Sequence, residues 1–514
     1  DEAGTAIDTG DSNVAVGYAA LDANSTGSNN IAVGFAALGA NTTASNNVAV
    51  GYAALDANTT GTQNIAVGFS ALTANTTANS NIAIGTNALA ANTTGANNTA
   101  VGENVMAANT EGVNNVALGY IALDADTKGN QSTALGYAAL SAQNFTSSTA
   151  SQNTAVGYSA GEDITTGVSN TLLGANAGAN LTDADNNVAI GYGSLDADTL
   201  GSRSTAIGYL TLSTQNFESA TNAYNVAVGF QAGYGVTTGA NNTLIGTKVG
   251  DALTDADYNT AMGVLSLSVD TLGSRSTAVG YGTLENQNFA SATDSNNSAV
   301  GFLAGNDVTT GLQNTLIGAY VGQKLTDADF NTAMGHASLS TDTLGSKSTA
   351  VGFKALETQN FTSATDSNNT AVGFNSGQAV TTGQNNSLLG AYAGDALTTG
   401  SSNVALGFEA LSTEDAHGLN TAVGYRALKT LNAGVDAGHT AIGYNSGTAM
   451  TTATVNTLIG GGSGAALTTG STNIALGNSC LDADTAGNRS TAIGYKALSA
   501  QNFTSATSSN NTAA

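Results

Sequence analysis

The chain repeats a short pattern of polar, aliphatic and small residues along nearly its whole length. Asn-Val-Ala-Val-Gly at residues 13–17 returns as Asn-Ile-Ala-Val-Gly at 30–34, and the pattern recurs to give 28 such glycines up to Gly494. Most of these glycines follow a 17-residue period, as Gly17 and Gly34 do, which predicts a solenoid in which each repeat forms one coil. A 21-residue step follows Gly136, Gly208, Gly280 and Gly352, and a 19-residue step follows Gly424.

Positions in a coil are counted here from its glycine as zero. Position −1 is aliphatic in all 28 coils, −3 is Val, Ile, Thr or Ser, and −2 is Ala or Leu. Because successive side chains of a strand point to opposite faces, −1 and −3 share one face and −2 occupies the other. Both faces are apolar or small, which is typical of strands covered on both sides. We therefore expect short parallel strands with alanine facing a narrow interior.

The aliphatic face needs a cover that the thin coil itself does not supply. A second copy of the chain, related by rotational symmetry, provides one, so we expect a homo-oligomer. An aliphatic stripe of this kind also suits a different ligand, and that alternative stays open. The residues predicted to form the structural core are Val16, Val33, Val50, Ile84, Leu181, Leu195 and Leu253.

Two apolar positions exchange with each other in the later coils. From Gly157 onward, alternate pairs of coils carry Gly at +4 instead of Leu and gain an aliphatic residue at +7. Such compensation indicates burial, because an unfilled leucine site costs about 2–5 kcal/mol. The coils then form 72-residue super-repeats of three 17-residue steps and one 21-residue step. The chain divides into a lead-in at 1–12, regular coils at 13–136, super-repeat coils at 137–424 and terminal coils at 425–514, the last one incomplete.

Each 21-residue step contains an additional Asn-Phe segment. We expect it to bulge from one edge of the stack every four coils, about 19 Å apart at about 4.8 Å per coil. Repeated insertions often mark a binding face, although a neutral elongation of a surface turn explains them equally well. The phenylalanines concerned are Phe145, Phe217, Phe289, Phe361 and Phe503.

Position −4 is Asn in 22 coils, Ser in five and His in one. Stacked coils would bring these amides about 4.8 Å apart, where they could form a hydrogen-bonded ladder. The alternative is a turn residue that tolerates unusual backbone angles. The ladder is expected to begin with Asn13, Asn30, Asn47 and Asn64.

Composition excludes several classes of partner. The net charge of −25 argues against nucleic acid and anionic membranes, which attract basic patches. No apolar run approaches the length of about 20 residues that a membrane-spanning helix needs, so no such helix is expected. Proline is absent, which fits a stack in which every coil donates backbone N–H groups to its neighbours. The one cysteine, Cys480, cannot form an intramolecular disulfide.

Acidic pairs recur and raise the question of calcium. Calcium needs six to eight oxygen ligands, and the glycine-aspartate nonapeptide of calcium β-rolls is missing, so no cofactor is assigned and calcium remains an alternative. Ion pairs between neighbouring coils are the preferred interpretation, because a basic residue follows three of the pairs by one coil and one residue. The acidic pairs are Asp183/Asp185, Asp196/Asp198, Asp255/Asp257 and Asp327/Asp329, and the expected ion pairs are Asp185–Arg203, Asp257–Arg275 and Asp329–Lys347.

No residue constellation predicts catalysis or a metal site. His336 stands where other coils have Tyr or Phe, so we expect it to stack, and His417 and His439 show no metal-ligand spacing. Repeated Asn-Thr-Thr segments match the N-glycosylation acceptor pattern. They begin at Asn41, Asn58, Asn75 and Asn92.

The Asn-x-Ala-Val/Ile-Gly core, as at 47–51 and 187–191, resembles the head repeat of YadA-like trimeric autotransporter adhesins. The resemblance covers residues 13–513, and similar repeats occur in phage tail fibres. It implies a homotrimer of left-handed parallel β-rolls on a bacterial surface that binds host matrix or cells. The coil of this chain is longer than the usual head repeat.

We therefore expect an all-β parallel β-solenoid of 28 coils, trimeric, with no enzymatic activity. The expected function is a structural and adhesive fibre, extracellular or on a cell surface, that self-assembles and binds a cell-surface, matrix or glycan receptor. A phage tail-fibre shaft within a virion and an ice-binding solenoid are the alternatives. The sequence stops within a motif at Ala514, which suggests either a longer fibre or end-to-end stacking of subunits.

Overall fold

Each coil contributes one short strand that ends immediately before its glycine. The computed structural model describes residues 2–514 and contains no helix within that range, so the predicted all-β parallel solenoid is confirmed. These residues divide into two units, one that ends at Tyr258 and one that spans Asn259–Ala514. Each unit is a stack of coils, most of which keep the 17-residue period that the glycines predict.

In the first unit the strands are β1 (Val14–Val16), β2 (Ile31–Val33), β3 (Val48–Val50), β4 (Ile65–Val67), β5 (Ile82–Ile84), β6 (Thr99–Val101), β7 (Val116–Leu118), β8 (Gly129–Asn130), β9 (Thr133–Leu135), β10 (Thr149–Ala150), β11 (Thr154–Val156), β12 (Thr171–Leu173), β13 (Val188–Ile190), β14 (Gly201–Ser202), β15 (Thr205–Ile207), β16 (Thr221–Asn222), β17 (Val226–Val228) and β18 (Thr243–Ile245).

In the second unit they are β19 (Thr260–Met262), β20 (Gly273–Ser274), β21 (Thr277–Val279), β22 (Thr293–Asp294), β23 (Ser298–Val300), β24 (Thr315–Ile317), β25 (Thr332–Met334), β26 (Gly345–Ser346), β27 (Thr349–Val351), β28 (Thr365–Asp366), β29 (Thr370–Val372), β30 (Ser387–Leu389), β31 (Val404–Leu406), β32 (Thr421–Val423), β33 (Thr440–Ile442), β34 (Thr457–Ile459), β35 (Ile474–Leu476), β36 (Gly487–Asn488), β37 (Thr491–Ile493), β38 (Thr507–Ser508) and β39 (Thr512–Ala513).

The main strands of successive coils pair in parallel and in register within each unit. Val14 lies opposite Ile31 in β1 and β2, and the same motif positions face each other at the later steps within each unit. The two-residue strands form separate small sheets, such as β8 with β10 and β26 with β28, beside the 21-residue coils. The insertion therefore adds a second hydrogen-bonded edge instead of a free loop.

The glycine at position zero is required by its backbone and its surroundings. Gly17 has a φ of 129°, a region that side chains disfavour. A Cβ on Gly17 would also lie 2.4 Å from the carbonyl oxygen of Gly34 in the next coil. The close approach of stacked backbones explains why the repeat keeps glycine at this position.

The coil turns through residues in the left-handed region. In the first coil these residues are Ser12, Ala19 and Leu21, at positions −5, +2 and +4. A left-handed residue with a side chain costs about 1–2 kcal/mol. Full burial of a leucine contributes about 1.5–3 kcal/mol, so the packing of Leu21 offsets its backbone strain.

The interior is narrow and is lined by alanine at −2 and +3 and by leucine at +4. Leu181, Leu195 and Leu253 are completely buried there. Four other predicted core residues are not: Val16 is 56% exposed, Ile84 is 39% exposed, and Val33 and Val50 are half-buried. The assignment of these four −1 residues to the core is therefore wrong for the single chain. The alanine at −2 faces inward, and the larger residues at −1 and −3 face outward.

The predicted exchange between +4 and +7 is visible in the packing. A Cβ on Gly161 would meet atoms already present, with Leu172 Cδ1 2.6 Å and Ile164 Cδ1 3.1 Å away. The leucine at −2 and the aliphatic residue at +7 thus fill the space that a +4 leucine occupies in other coils.

The phenylalanines of the insertions were expected at the surface, and this is wrong. Four of them are buried and Phe503 is half-buried, and the rings of Phe145, Phe289, Phe361 and Phe503 each pack on a glycine of the preceding coil. A Cβ on Gly345, for example, would lie 2.7 Å from Phe361 Cδ2. The remaining residues of the insertion are largely exposed. The buried phenylalanines are Phe145, Phe217, Phe289 and Phe361.

Candidate interaction face and interior networks

An exposed apolar surface runs along the coils of each unit. It consists of positions −3, −1 and +1, and it is called the apolar face below. In the first coil these positions are Val14, Val16 and Tyr18, and all three are exposed. Across the 28 coils the face contains one charged residue, Glu103, although the chain has a net charge of −25. Charge is therefore excluded from this surface.

The +1 residues form stacks of parallel rings. In the first unit the ring centroids of Tyr18 and Phe35 are 5.3 Å apart, and those of Tyr52 and Phe69 are 5.1 Å apart. In the second unit His336 stacks on Phe353 at 5.5 Å with an interplanar angle of 15°, which confirms the expected stacking role of this histidine. Stacking stabilises the rings mutually but leaves one edge of each in solvent.

At least one coil of every super-repeat lacks an aromatic residue at +1, and in two of these coils Tyr320 and Tyr392 at +2 contact the neighbouring rings edge-on instead. Ala175 and Ala319 occupy +1 in such coils, and the exposed Leu173 and Ile317 precede them at −1. The apolar character of the face therefore continues through each gap. The aliphatic −1 residues are present in every coil, whereas the aromatic +1 residues are not.

The asparagines at −4 form a ladder that runs through the backbone. The backbone N–H of Asn30 donates to Asn13 Oδ1 at 2.9 Å, and Asn30 Nδ2 donates to the carbonyl of Ala44 at 2.9 Å. Asn47 and Asn64 repeat the arrangement one and two coils later. The left-handed backbone lies at −5 instead, so the interpretation of −4 as a strained turn residue is wrong.

His439 performs the same task as the asparagine it replaces. Its Nε2 lies 2.8 Å from the carbonyl oxygen of Ala453, and its Nδ1 accepts the backbone N–H of Asn456 at 3.1 Å. Burial lowers the pKa of His439 to about 4, although both hydrogen bonds act in the opposite direction. The imidazole is therefore neutral at pH 7.

A second ladder, of direct amide–amide bonds, lies at +7 and was missed in the sequence. Asn58 Nδ2 donates to Asn41 Oδ1 at 3.0 Å, and Asn75 Nδ2 donates to Asn58 Oδ1 at 2.9 Å. Its members are fully buried, including the asparagines of the Asn-Thr-Thr segments. An acceptor amide held in this way is not accessible to a glycosylating enzyme in the folded chain. The signal was an Asn at constant spacing, three residues after leucine.

Buried aspartate carboxylates replace the +7 asparagine in five coils. Asp198 Oδ2 accepts a hydrogen bond from Gln215 Nε2 at 2.5 Å, and its Oδ1 accepts one from the backbone N–H of Gly201 at 3.0 Å. Burial raises the pKa of Asp198, and the Gln215 hydrogen bond opposes that shift. The same shift and cause apply to the pKa of Asp126 and of Asp270. Asp198 is therefore an interior network residue and not half of an exposed calcium pair with Asp196.

The other acidic pairs bind neighbouring coils through neutral donors. Asp183 accepts the hydroxyl of Thr166 at 2.7 Å, and Asp185 Oδ1 accepts the backbone N–H of Val168 at 2.8 Å. Asp327 repeats the Thr contact in the second unit, with Thr310. Each carboxylate thus faces the preceding coil.

Two of the expected ion pairs are wrong for this reason. Within the described residues Asp185 and Arg203 form no side-chain ion pair, because Arg203 extends to the following coil and donates to Tyr224 Oη at 2.8 Å. Lys347 likewise lies 2.6 Å from Asp366 Oδ2 and not beside Asp329. The pairing of Asp257 with Arg275, which belong to different units, stays a prediction.

One group of possible metal ligands departs from the rest of the chain. Glu414, Asp415 and His417 place ligand atoms within 4.8 Å of one another, although the sequence spacing predicted no metal site. His417 Nδ1 lies 3.2 Å from Glu414 Oε1, and Glu414 is fully buried. These residues replace an Asp-Thr-x-Gly segment that recurs elsewhere, which is the signal that the sequence offered.

Among residues 2–514 no helix is long and apolar enough to cross a membrane. A scan against protein-family models gives no match, and a search of curated proteins finds no match either. The resemblance to adhesin head repeats accordingly stays a prediction that rests on the motif itself.

Proposed function

We propose that the protein is a structural and adhesive fibre component, not an enzyme, which self-associates through the apolar face. The observation that carries this proposal is the nearly uncharged, exposed apolar surface along each unit. Monomeric proteins rarely expose contiguous apolar patches larger than a few hundred Å². Burying such a surface against a partner stabilises the complex by about 25 cal/mol for each Å² of apolar surface removed from water.

A second copy of the chain is the partner that best matches the face. The face repeats at about the spacing of stacked strands, near 4.8 Å, and another copy repeats with the same period along its own coils. Rotational symmetry around an axis parallel to the stack places equivalent columns against one another. The resemblance to trimeric head repeats favours three copies.

Light scattering tests the self-association. We expect the wild-type chain to have about three times its single-chain mass of 50.4 kDa. Four aspartates placed on the apolar face should reduce that mass, whereas four on the exposed threonine edge of the same coils should not. The face variant is Val33→Asp, Val50→Asp, Val67→Asp and Ile84→Asp, and the control is Thr43→Asp, Thr60→Asp, Thr77→Asp and Thr94→Asp. A stable wild-type monomer would contradict the proposal.

Adhesion and location are tested separately. We place the fibre outside the cell or on its surface, where it binds a cell-surface, matrix or glycan receptor with its outer turns. Beads coated with the wild-type chain should bind cultured cells, matrix proteins or arrayed glycans above uncoated beads. Absence of binding to all three would remove the adhesive part and favour a shaft, as in a phage tail fibre.

Ice binding is a second candidate because of one edge of the first unit. Thr43, Thr60, Thr77 and Thr94 are exposed at the same position of consecutive coils. They form a column of hydroxyl and methyl groups with the spacing of the stack. Thermal hysteresis of a dilute solution would support this function, and its loss in the four-threonine variant above would assign it to that edge.

A further inference from the structure

Five coils carry the same four-residue segment, Asp-Thr-x-Gly, starting at +7. In a sixth coil the segment is Glu414-Asp415-Ala416-His417, which keeps a carboxylate at its first position and adds metal-ligating side chains at the positions of Thr and Gly. The five regular segments are Asp126–Gly129, Asp198–Gly201, Asp270–Gly273, Asp342–Gly345 and Asp484–Gly487.

A regular segment leaves its carboxylate no room for an ion. Asp342 Oδ1 accepts the backbone N–H groups of Gly345 and Phe361, at 3.0 and 3.3 Å, and Oδ2 accepts Gln359 Nε2 at 2.5 Å. The Phe361 ring covers Gly345. Protein donors and an aromatic ring therefore occupy the surroundings of the carboxylate.

In the sixth segment the glutamine donor, the phenylalanine ring and the glycine are all replaced. Leu431 stands where the next coil elsewhere has Gln, Ala433 stands in place of Phe, and His417 replaces Gly. The carboxylate of Glu414 loses its amide donor and receives an imidazole, with His417 Nδ1 3.2 Å from Glu414 Oε1. The two backbone donors are retained: the N–H of His417 donates to Oε1 at 3.3 Å, and the N–H of Ala433 donates to Oε2 at 3.2 Å.

We propose that Glu414, Asp415 and His417 bind a divalent transition-metal cation of the zinc class. Two ligand atoms at about 2.0–2.2 Å from one zinc ion lie about 3–3.5 Å apart, which the Glu414–His417 distance matches. Imidazole favours zinc and its neighbours over calcium or magnesium. Three protein ligands leave the fourth position to water or to a group of a neighbouring molecule. Glu414, held by Ala433, orients the site from the interior of the coil.

Zinc binding to the full-length chain tests the site. After treatment with a chelator and its removal, titration calorimetry with zinc chloride should show one tight site per chain. His417→Gly, which restores the residue of the regular segments, should weaken that binding about tenfold or more. His336→Phe, which restores the usual aromatic residue, should leave it unchanged and controls for the loss of a histidine.

Cobalt(II) absorption provides a second measurement that is independent of protein stability. The wild-type chain should give visible d–d bands of a mixed nitrogen and oxygen site, and Glu414→Gln and His417→Gly should lose them while keeping their β circular dichroism. Equal zinc binding by wild type and His417→Gly would overturn the proposal. A wild-type chain without the tight site would also overturn it and would leave a plain Glu414–His417 hydrogen bond.

Discussion

The δ-methyl group of Leu181 occupies the space beside Gly178 that a side chain at residue 178 would need. A Cβ on Gly178 would lie 2.7 Å from Leu181 Cδ1. In neighbouring coils the same interior volume is filled from +4, by leucines such as Leu195. One site in the core is therefore filled from two different backbone positions, and the choice alternates along the super-repeat.

Leu181→Ala should destabilise its coil as strongly as Leu195→Ala destabilises its own. Both side chains are completely buried, so each truncation should cost about 2–5 kcal/mol. Hydrogen exchange of the local amides is the suitable measurement, because long repeat arrays do not unfold in two states. Tyr192→Ala, on the exposed apolar face, is the control and should change interior protection little. A silent Leu181→Ala would show that +7 is not an interior position.

Gly161→Ala should cost more than Gly434→Ala. Both glycines have φ in the left-handed region, 58° and 71°, so both variants carry a similar backbone strain of about 1–2 kcal/mol. Only the Cβ at 161 meets packed atoms, Leu172 Cδ1 at 2.6 Å, whereas nothing lies within 4 Å of a Cβ at 434. Overpacking adds about 1–3 kcal/mol. Equal losses of local protection would mean that the backbone and not the packing selects glycine at +4.

Asn58→Ala should open the amide ladder on both sides. It leaves Asn41 Oδ1 without its amide donor and removes one of the two acceptors of Asn75 Nδ2 in the interior. A buried unsatisfied polar group costs about 1–3 kcal/mol, so the loss of protection should extend into both neighbouring coils. Thr60→Ala, in the same coil but exposed, should stay within about 0.5 kcal/mol of the wild type. If the two variants behave alike, the ladder contributes nothing measurable.

The sequence predicted the features that depend on period. Coil length, parallel strands, the place of glycine and the +4/+7 exchange all follow from spacing, because a stacked coil repeats its contacts at a fixed interval. The inward position of alanine was predicted as well, but the valines at −1 were assigned to the core although they face outward in the single chain. Both faces are apolar, and the width of the interior, which admits Ala32 but not Val33, settles the choice.

The interior polar networks escaped prediction for a different reason. Asn58 and Asp198 are residue types common in turns, so their burial is visible only once the coil closes around them. Phe361 lies in an insertion that resembles a surface loop, yet Gly345 in the preceding coil provides a site for its ring. The direction of Arg203 depends on Asp185 having a nearer donor, the backbone N–H of Val168. Such competition between donors is not encoded in spacing.

The stability of the coil around His439 should depend on pH in a defined window. Its pKa in the folded chain is about 4, below the ordinary 6.5. Between these two pH values the histidine is protonated in the unfolded chain but neutral in the folded chain. The contribution of His439 to stability is therefore fully present above pH 6.5 and falls as the pH drops toward 4. The gap corresponds to about 3 kcal/mol at its full extent. The groups bonded to the ring and its backbone, from Asn420, Ala453 and Asn456, are uncharged, so they do not titrate with it.

His439→Asn isolates this effect, because asparagine is the usual residue at −4 and makes the same two kinds of hydrogen bond without titrating. Local hydrogen exchange is measured and corrected for its intrinsic pH dependence. Above pH 6.5 the protection of this coil should change with pH in the same way in the wild type and in the variant. Below that value the wild type alone should lose protection in the coil that contains β33, while carboxylates common to both chains cancel in the comparison. Parallel losses of protection in the two chains between pH 6.5 and 4 would contradict this prediction. They would show that the imidazole is protonated within the fold and that burial does not lower its pKa.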